Sequence, residues 1–159
     1  MDKYITHSVK ETQKLGRRFA KEISTKKIGK QAVVLELQGD LGSGKTTFIQ
    51  GLAKGLKIKE NILSPTFVIL KEFTIKFPAS GWPAVGWKNF YHIDAYRLKS
   101  AQEILELGFK DLLKNPENLI VVEWADRIKK ILPRNALKIR FTNVGKNKRK
   151  LFYEATYCN

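Results

Sequence analysis

Residues 35–52, LELQGDLGSGKTTFIQGL, decide how the rest of the chain is read. Within them Gly39, Asp40, Leu41, Gly42, Ser43, Gly44, Lys45 and Thr46 fill every position of the pattern G-x-x-x-x-G-K-[ST]. Glycines let the backbone curl until successive N–H groups point inward, and the N-terminus of a following helix adds positive potential. Lys45 then reaches the outer phosphates of a nucleotide, and the Thr46 hydroxyl can bind magnesium. The flanks agree. AVVLEL (32–37) is a mostly apolar, β-branched run that stops at glycine, which reads as a buried strand. KTTFIQGLAKGL spaces Phe48, Leu52 and Leu56 as a helix does. Strand, glycine loop and helix together form the context a phosphate-binding P-loop needs, and an ordinary glycine-rich turn accounts for it poorly.

Working outward, Ser8 with Glu11 is a capping-box pattern. Val9, Leu15, Phe19 and Ile23 then recur near helical spacing, which predicts a helix over 9–24. TFVILKEF (66–73) and NFYHID (89–94) read as strands, joined through PASGWPAVGW, whose Pro and Gly residues predict a loop. Ser100 can cap a helix through AQEILEL, Gly108 can end it, and LIVVEW (119–124) is another buried strand, followed by the helix-like ADRIKKIL. ALKIRFT and RKLFYEATY close the chain as an antiparallel hairpin around NVGKNK. Strands alternating with helices predict an α/β three-layer sandwich of P-loop NTPase type with a mostly parallel central sheet. No linker or repeat divides it, so residues 1–159 are expected to form one domain.

Composition bounds the function. A chain of 159 residues buries about 70% of the surface its unfolded form exposes, enough for a core without staples. Its one cysteine, Cys158, allows neither an intrachain disulfide nor a cysteine metal site, which agrees with a reducing compartment. No apolar run approaches the length of a bilayer span, and the first residues lack the apolar core of a signal peptide, so a cytoplasmic location is expected. Thirty Lys and Arg against fifteen Asp and Glu give a net charge of +15, clustered at TKKIGK (25–30) and GKNKRK (145–150). Such a balance favours acidic partners, RNA first, although a lysine-rich proteome gives basic surfaces to proteins that touch no nucleic acid.

A P-loop needs a second anchor for its metal, usually an acid at the end of a neighbouring buried strand. Asp94, ending FYHID, and Glu123, ending LIVVE, both meet that description; either alone could instead cap a helix. LSPTF (63–67) sets Ser64 and Thr66 around a proline where switch threonines sense a γ-phosphate, though such a sequence is also an ordinary turn. His92 shares a strand face with Asp94, and a satisfied strand-end histidine weighs evenly against a functional one. Trp82, Trp87 and Trp124 read as core or loop anchors.

Taken in order, GDLGSGKTTF, SPTF, HIDAYRL and VVEWAD resemble the TsaE family, also called YjeE, the small bacterial ATPases of tRNA threonylcarbamoyladenosine biosynthesis. The resemblance runs from LGRRFA in the first helix to Leu132 and Pro133. It implies an ATPase, using ATP and Mg2+, that acts with the TsaD–TsaB pair. That pair transfers threonylcarbamoyl onto the adenosine beside the tRNA anticodon, and TsaE is not itself the transferase. It further implies that Gly42 to Thr47 hold the phosphates and that Thr46 and Glu123 hold magnesium. Asp94 would lie near the γ-phosphate, supporting the metal or orienting water. Thr66 would sense the phosphate, and the turn near His7, Ser8 and Val9 would contact the adenine. The chain departs from the family at KFPASGWPAVGWKN (76–89), a longer connection than usual.

Two other classes compete. A small P-loop kinase would need an acceptor pocket and a basic lid, and an RNA-binding module would use ATP only structurally. A GTPase is disfavoured because neither a D-x-x-G switch nor an N-K-x-D guanine-reading motif occurs. Slow hydrolysis by the isolated chain is expected, because an arginine finger is worth roughly 10³ to 10⁵ in rate and only Arg97 and Arg127 are candidates in cis.

Overall fold

A computed structural model describes residues 2–25, 29–76 and 86–154. Cys158, Trp82, most of the 76–89 connection and part of the first basic cluster lie outside the described residues.

One seven-stranded sheet runs through the molecule in the order β1-β7-β6-β2-β5-β4-β3. Its strands are β1 (Asp2–Thr6), β2 (Val33–Gln38), β3 (Leu70–Thr74), β4 (Asn89–Asp94), β5 (Asn118–Glu123), β6 (Leu137–Gly145) and β7 (Lys148–Glu154). The four central strands, β6, β2, β5 and β4, are parallel, while β7 and β1 extend one side antiparallel and β3 does so on the other. The three-layer α/β sandwich and its C-terminal hairpin therefore stand as the sequence predicts.

Strands buried on both faces lose the polar alternation of an exposed sheet, and β5 shows this: all six residues of NLIVVE are buried. Leu119 and Val121 join the core under helices α1 (Val9–Ser24) and α2 (Lys45–Gly55). Ile120 and Val122 join the one under α3 (Ala101–Glu106), α4 (Phe109–Lys114) and a 3₁₀ segment at Ala125–Ile131. Each layer of helices thus has its own apolar core, separated by the sheet.

The two long helices pack nearly backbone to backbone. A Cβ at Gly16 would collide with the Phe48 carbonyl, and one at Gly51 with the Gln13 carbonyl. That seam brings the start of α1 beside the start of α2. The Ser8 hydroxyl accepts from the Glu11 N–H at 3.1 Å. The Glu11 carboxylate reaches back to the His7 N–H at 2.7 Å, so the first helix starts where the capping pattern places it.

The structure differs from what the sequence predicts at a few points. β3 begins at Leu70, not at 66: Ile69 adopts φ 66, and its N–H and that of Val68 bond to the Pro65 carbonyl, so residues 66–69 form a turn. The bonds to the Pro65 carbonyl, with the Ile69 carbonyl tied to the Asp94 N–H, override the strand preference of Val68 and Ile69. β5 ends at Glu123 because Trp124 is left-handed, with φ 57. The stretch after it is 3₁₀, broken by a non-helical Ile128. β1 and α4 are elements the sequence patterns did not disclose.

Candidate functional site

Three adjacent parallel strands deliver the chemistry to one edge of the sheet. β2 runs into the glycine loop, β4 ends at Asp94 and β5 ends at Glu123, with Asp94 and Glu123 paired in register. Ligands of open α/β sheets bind at this carboxyl edge. A cleft of about 320 Å³ opens there, bounded by Gly42 to Thr47, the two carboxylates and the N-terminus of α1.

The loop curls by taking glycine into left-handed backbone at Gly42 (φ 71) and Gly44 (φ 100), which L side chains rarely adopt. Gly44 is the residue that caps α2. Lys45 is buried, and its ammonium donates to the carbonyls of Gly39 at 2.6 Å and Asp40 at 2.9 Å. The same ammonium lies 4.1 Å from the centre of the Trp124 ring, within cation–π range. Burial pushes the Lys45 ammonium below its ordinary value, against the pull of Glu123, Asp94, Asp40 and Asp126.

Thr46, the first threonine of α2, donates its hydroxyl to Glu123 at 2.9 and 3.0 Å. Glu123 is 3% exposed, and its Oε1 also lies 2.8 Å from His92 Nε2. Thr46 and Glu123 are 77 residues apart in the chain. His92 is therefore a partner of the site and not merely a strand-end residue.

Asp94 organises a second cluster. Ser64 and Thr66 donate to its Oδ2 at 2.5 and 2.6 Å, and the Tyr96 N–H donates to Oδ1 at 2.9 Å. Its own N–H donates to the carbonyl of Ile69. The SPTF turn is thus tied at both ends to the tip of β4. Ile69 and Trp124, the β-branched and aromatic residues with positive φ, close the 66–69 turn and follow Glu123, respectively. Backbone strain of this kind persists only where surrounding contacts over-determine it.

Of the residues singled out in the sequence, Ser8, Val9, Leu41, Gly42, Ser43, Gly44, Lys45, Thr46, Thr47, Thr66, Asp94 and Glu123 all face this cleft. Gly39 and Asp40 do not line it; they hold Lys45 from behind. Arg97 and Arg127 are not brought to the cleft wall: Arg97 stacks over Phe67 at 4.3 Å and Arg127 over Tyr96 at 5.4 Å. The hairpin instead contributes Asn147 and Arg149, the latter packed over Gly44 with its guanidinium held by Asn143 and the carbonyls of Gly145 and Lys148. Nothing local in GKNKRK marks these two. Trp124 belongs to the cleft as well, whereas Trp87 is the buried core anchor expected of it.

The family model described as "Threonylcarbamoyl adenosine biosynthesis protein TsaE" matches residues 6–151. The "tRNA threonylcarbamoyladenosine biosynthesis protein TsaE" of Rickettsia prowazekii is 37% identical over 145 residues, covering 90% of this chain and 88% of the relative. Its namesake in Haemophilus influenzae is 32% identical over 148 residues, covering 84% and 86%. Among solved structures, Bacillus subtilis YdiB superposes with a TM-score of 0.73 at 29% identity, over 98% of this chain and 86% of that one.

Proposed function

Since this chain belongs to the TsaE family, we propose that it is a Mg2+-dependent ATPase serving the threonylcarbamoyladenosine modification of tRNA, acting on a TsaD–TsaB complex and not itself the transferase. The observation that carries the reading is the Thr46–Glu123 contact at the head of α2. A hydroxyl and a carboxylate are hard oxygen donors of the kind magnesium takes, and magnesium is ordinarily held by one or two carboxylates together with nucleotide phosphates. No group of three or more His, Cys, Asp or Glu that could hold a metal occurs among the described residues, so the nucleotide itself would complete the shell. Bound there, the ion would neutralise charge developing on the phosphates.

The protein's own groups divide the rest. Lys45 exchanges its loop carbonyls for outer phosphate oxygens, and the N–H groups of Gly42 to Thr47 hold the remainder. Asp94 has three of its four lone-pair positions taken by Ser64, Thr66 and Tyr96, which fits it to supporting the metal shell and orienting water better than to direct ligation. Thr66 trades Asp94 for a γ-phosphate oxygen and so reports the nucleotide state to the SPTF turn. Ser8 and Val9 flank the adenine side of the cleft.

Hydrolysis by the isolated chain is slow, because Arg97 and Arg127 are stacked elsewhere and Arg149 is held by its own hairpin. The partner complex completes the site, and ATP and ADP states differ in affinity for it. Steady-state hydrolysis measured with and without TsaD and TsaB tests this: strong stimulation is expected. No stimulation by demonstrably active partners, or transfer of phosphate to an acceptor, would replace the reading with a small P-loop kinase.

A further inference from the structure

A second charged concavity lies at the far end of α2. Arg17 and Lys21 of α1 meet Lys54 and Lys57 across Gly55. Arg17 and Lys21 are four apart and so share one helix face. The fifth lining residue keeps the groove closed at its base: a Cβ on Gly55 would come within 2.6 Å of the Ala20 Cβ. All four cations are exposed, and none has a side-chain hydrogen bond or ion pair to another described residue. At about 1.5 Å per residue, the eleven residues of α2 separate this groove from the P-loop by on the order of 15 Å. It is a different surface from the nucleotide cleft.

Lysines at a helix C-terminus have a bland role, which is to complement the helix dipole. Lys57 goes beyond it. The Ile58 N–H bonds to the Ala53 carbonyl at 3.0 Å and the Lys57 N–H to the Lys54 carbonyl at 3.3 Å, the two bonds of a Schellman cap. The left-handed residue of that cap is usually glycine, yet here it is a lysine with φ 63. A strained backbone holds a cation at the groove where a side-chain-free residue would fit better.

We propose that this groove binds RNA through its phosphodiester backbone. Charge complementarity identifies the partner: four cations, unpaired among the described residues, gather on a chain of net charge +15. Protein–protein interfaces concentrate aromatic residues and deplete lysine, whereas nucleic-acid interfaces are dominated by positive charge. No aromatic side chain among the described residues lines the groove, so it offers no platform on which unpaired bases stack. Recognition is therefore of backbone, without base preference. It is independent of nucleotide hydrolysis at the P-loop.

The test uses the full chain and fluorescein-labelled bulk tRNA, titrated by anisotropy across a salt series. A groove variant carries Arg17→Gln, Lys21→Gln, Lys54→Gln and Lys57→Gln. A charge-matched control carries Lys110→Gln, Lys129→Gln, Lys130→Gln and Arg134→Gln on the opposite layer. ATP binding, retained by both, shows that each is folded and keeps this test separate from the nucleotide reading. At roughly 0.7–0.9 ions released per contact, the groove variant should flatten the log Kd against log salt slope by about 3 and weaken low-salt binding at least ~30-fold. The control should shift by less than ~3-fold. Equal losses in both variants overturn the proposal in favour of diffuse charge. So does wild-type chain that ignores tRNA, or that prefers polyglutamate, which would indicate an acidic protein partner. Lys57→Gly provides an independent check, because it removes cation and strain together: melting temperature should rise while tRNA binding falls. Undiminished binding in that variant overturns the role assigned to Lys57.

Discussion

Replacing Thr46 with valine separates the structural role of that hydroxyl from the role toward magnesium proposed for it. Valine preserves shape and β-branching, so α2 and its packing are left in place, while both Glu123 oxygens lose the donor now at 2.9 and 3.0 Å. Glu123 is 3% exposed and retains only His92 among its side-chain partners in the described residues. A hydrogen bond to a charged group contributes about 1.5–3 kcal/mol. For a domain of this size each kcal/mol moves the melting temperature by about 2–4 °C, so a fall of roughly 3–12 °C is expected. Urea denaturation should show a lower midpoint with unchanged slope, since the surface exposed on unfolding is the same. Thr46→Ser, which keeps the hydroxyl, should stay within about 1 kcal/mol of the parent. Calorimetric titration of ATP with and without Mg2+ isolates the proposed metal role: the parent should bind more tightly with magnesium, the valine variant should lose that gain, and the serine variant should keep it. A valine variant with the parent's midpoint would refute the energetics of the Thr46–Glu123 contact, and one with the parent's magnesium dependence would refute the ligand assignment.

Gly51→Ala gains about 1 kcal/mol of helix propensity but drives a methyl into the Gln13 carbonyl, where overpacking costs about 1–3 kcal/mol. A net loss of stability is expected, and a more stable variant would mean that the α1–α2 seam can open freely. Glu36 is buried on β2 with Oε2 unpartnered, and burial pushes its carboxyl above the ordinary 4.5, opposed by Lys138 and Lys129. The folded state therefore binds this proton more tightly than the unfolded one, and stability falls as pH rises from 4.5 through the folded value. Glu36→Gln should stabilise the protein at neutral pH with the gain vanishing in acid; a pH-independent gain would show that charge is not its source. Asp94→Ala releases Ser64 and Thr66, which should impair hydrolysis and speed amide exchange over residues 64–69. Unaltered exchange there would mean that Asp94 does not hold the turn.

What was legible in the chain was whatever a short window can state. GDLGSGKT implies a curled loop because glycine alone tolerates its backbone, and the apolar runs VVLEL and LIVVE imply strands covered on both faces. Asp94 and Glu123 stood out because each closes such a run. A turn at Ser64-Pro65-Thr66 was legible, but not its run to Ile69: Val68 and Ile69 carry strand preference, and only the bonds to Pro65 and from Asp94 reveal that the chain still bends there. β1 offered too short a pattern, DKYIT, and forms only against β7.

Local chemistry along the chain is enough to specify the phosphate-binding loop, the order of elements, the sandwich and the pair of carboxylates, since these follow from backbone tolerance and periodicity within a few residues. Which groups meet is a matter of packing. Register between β4 and β5 sets Asp94 beside Glu123, the lie of α2 brings Thr46 to Glu123 across 77 residues, and the hairpin carries Arg149 over Gly44. Residues far apart in the chain come together only when the sheet closes, and no local pattern records the partner that a side chain acquires there.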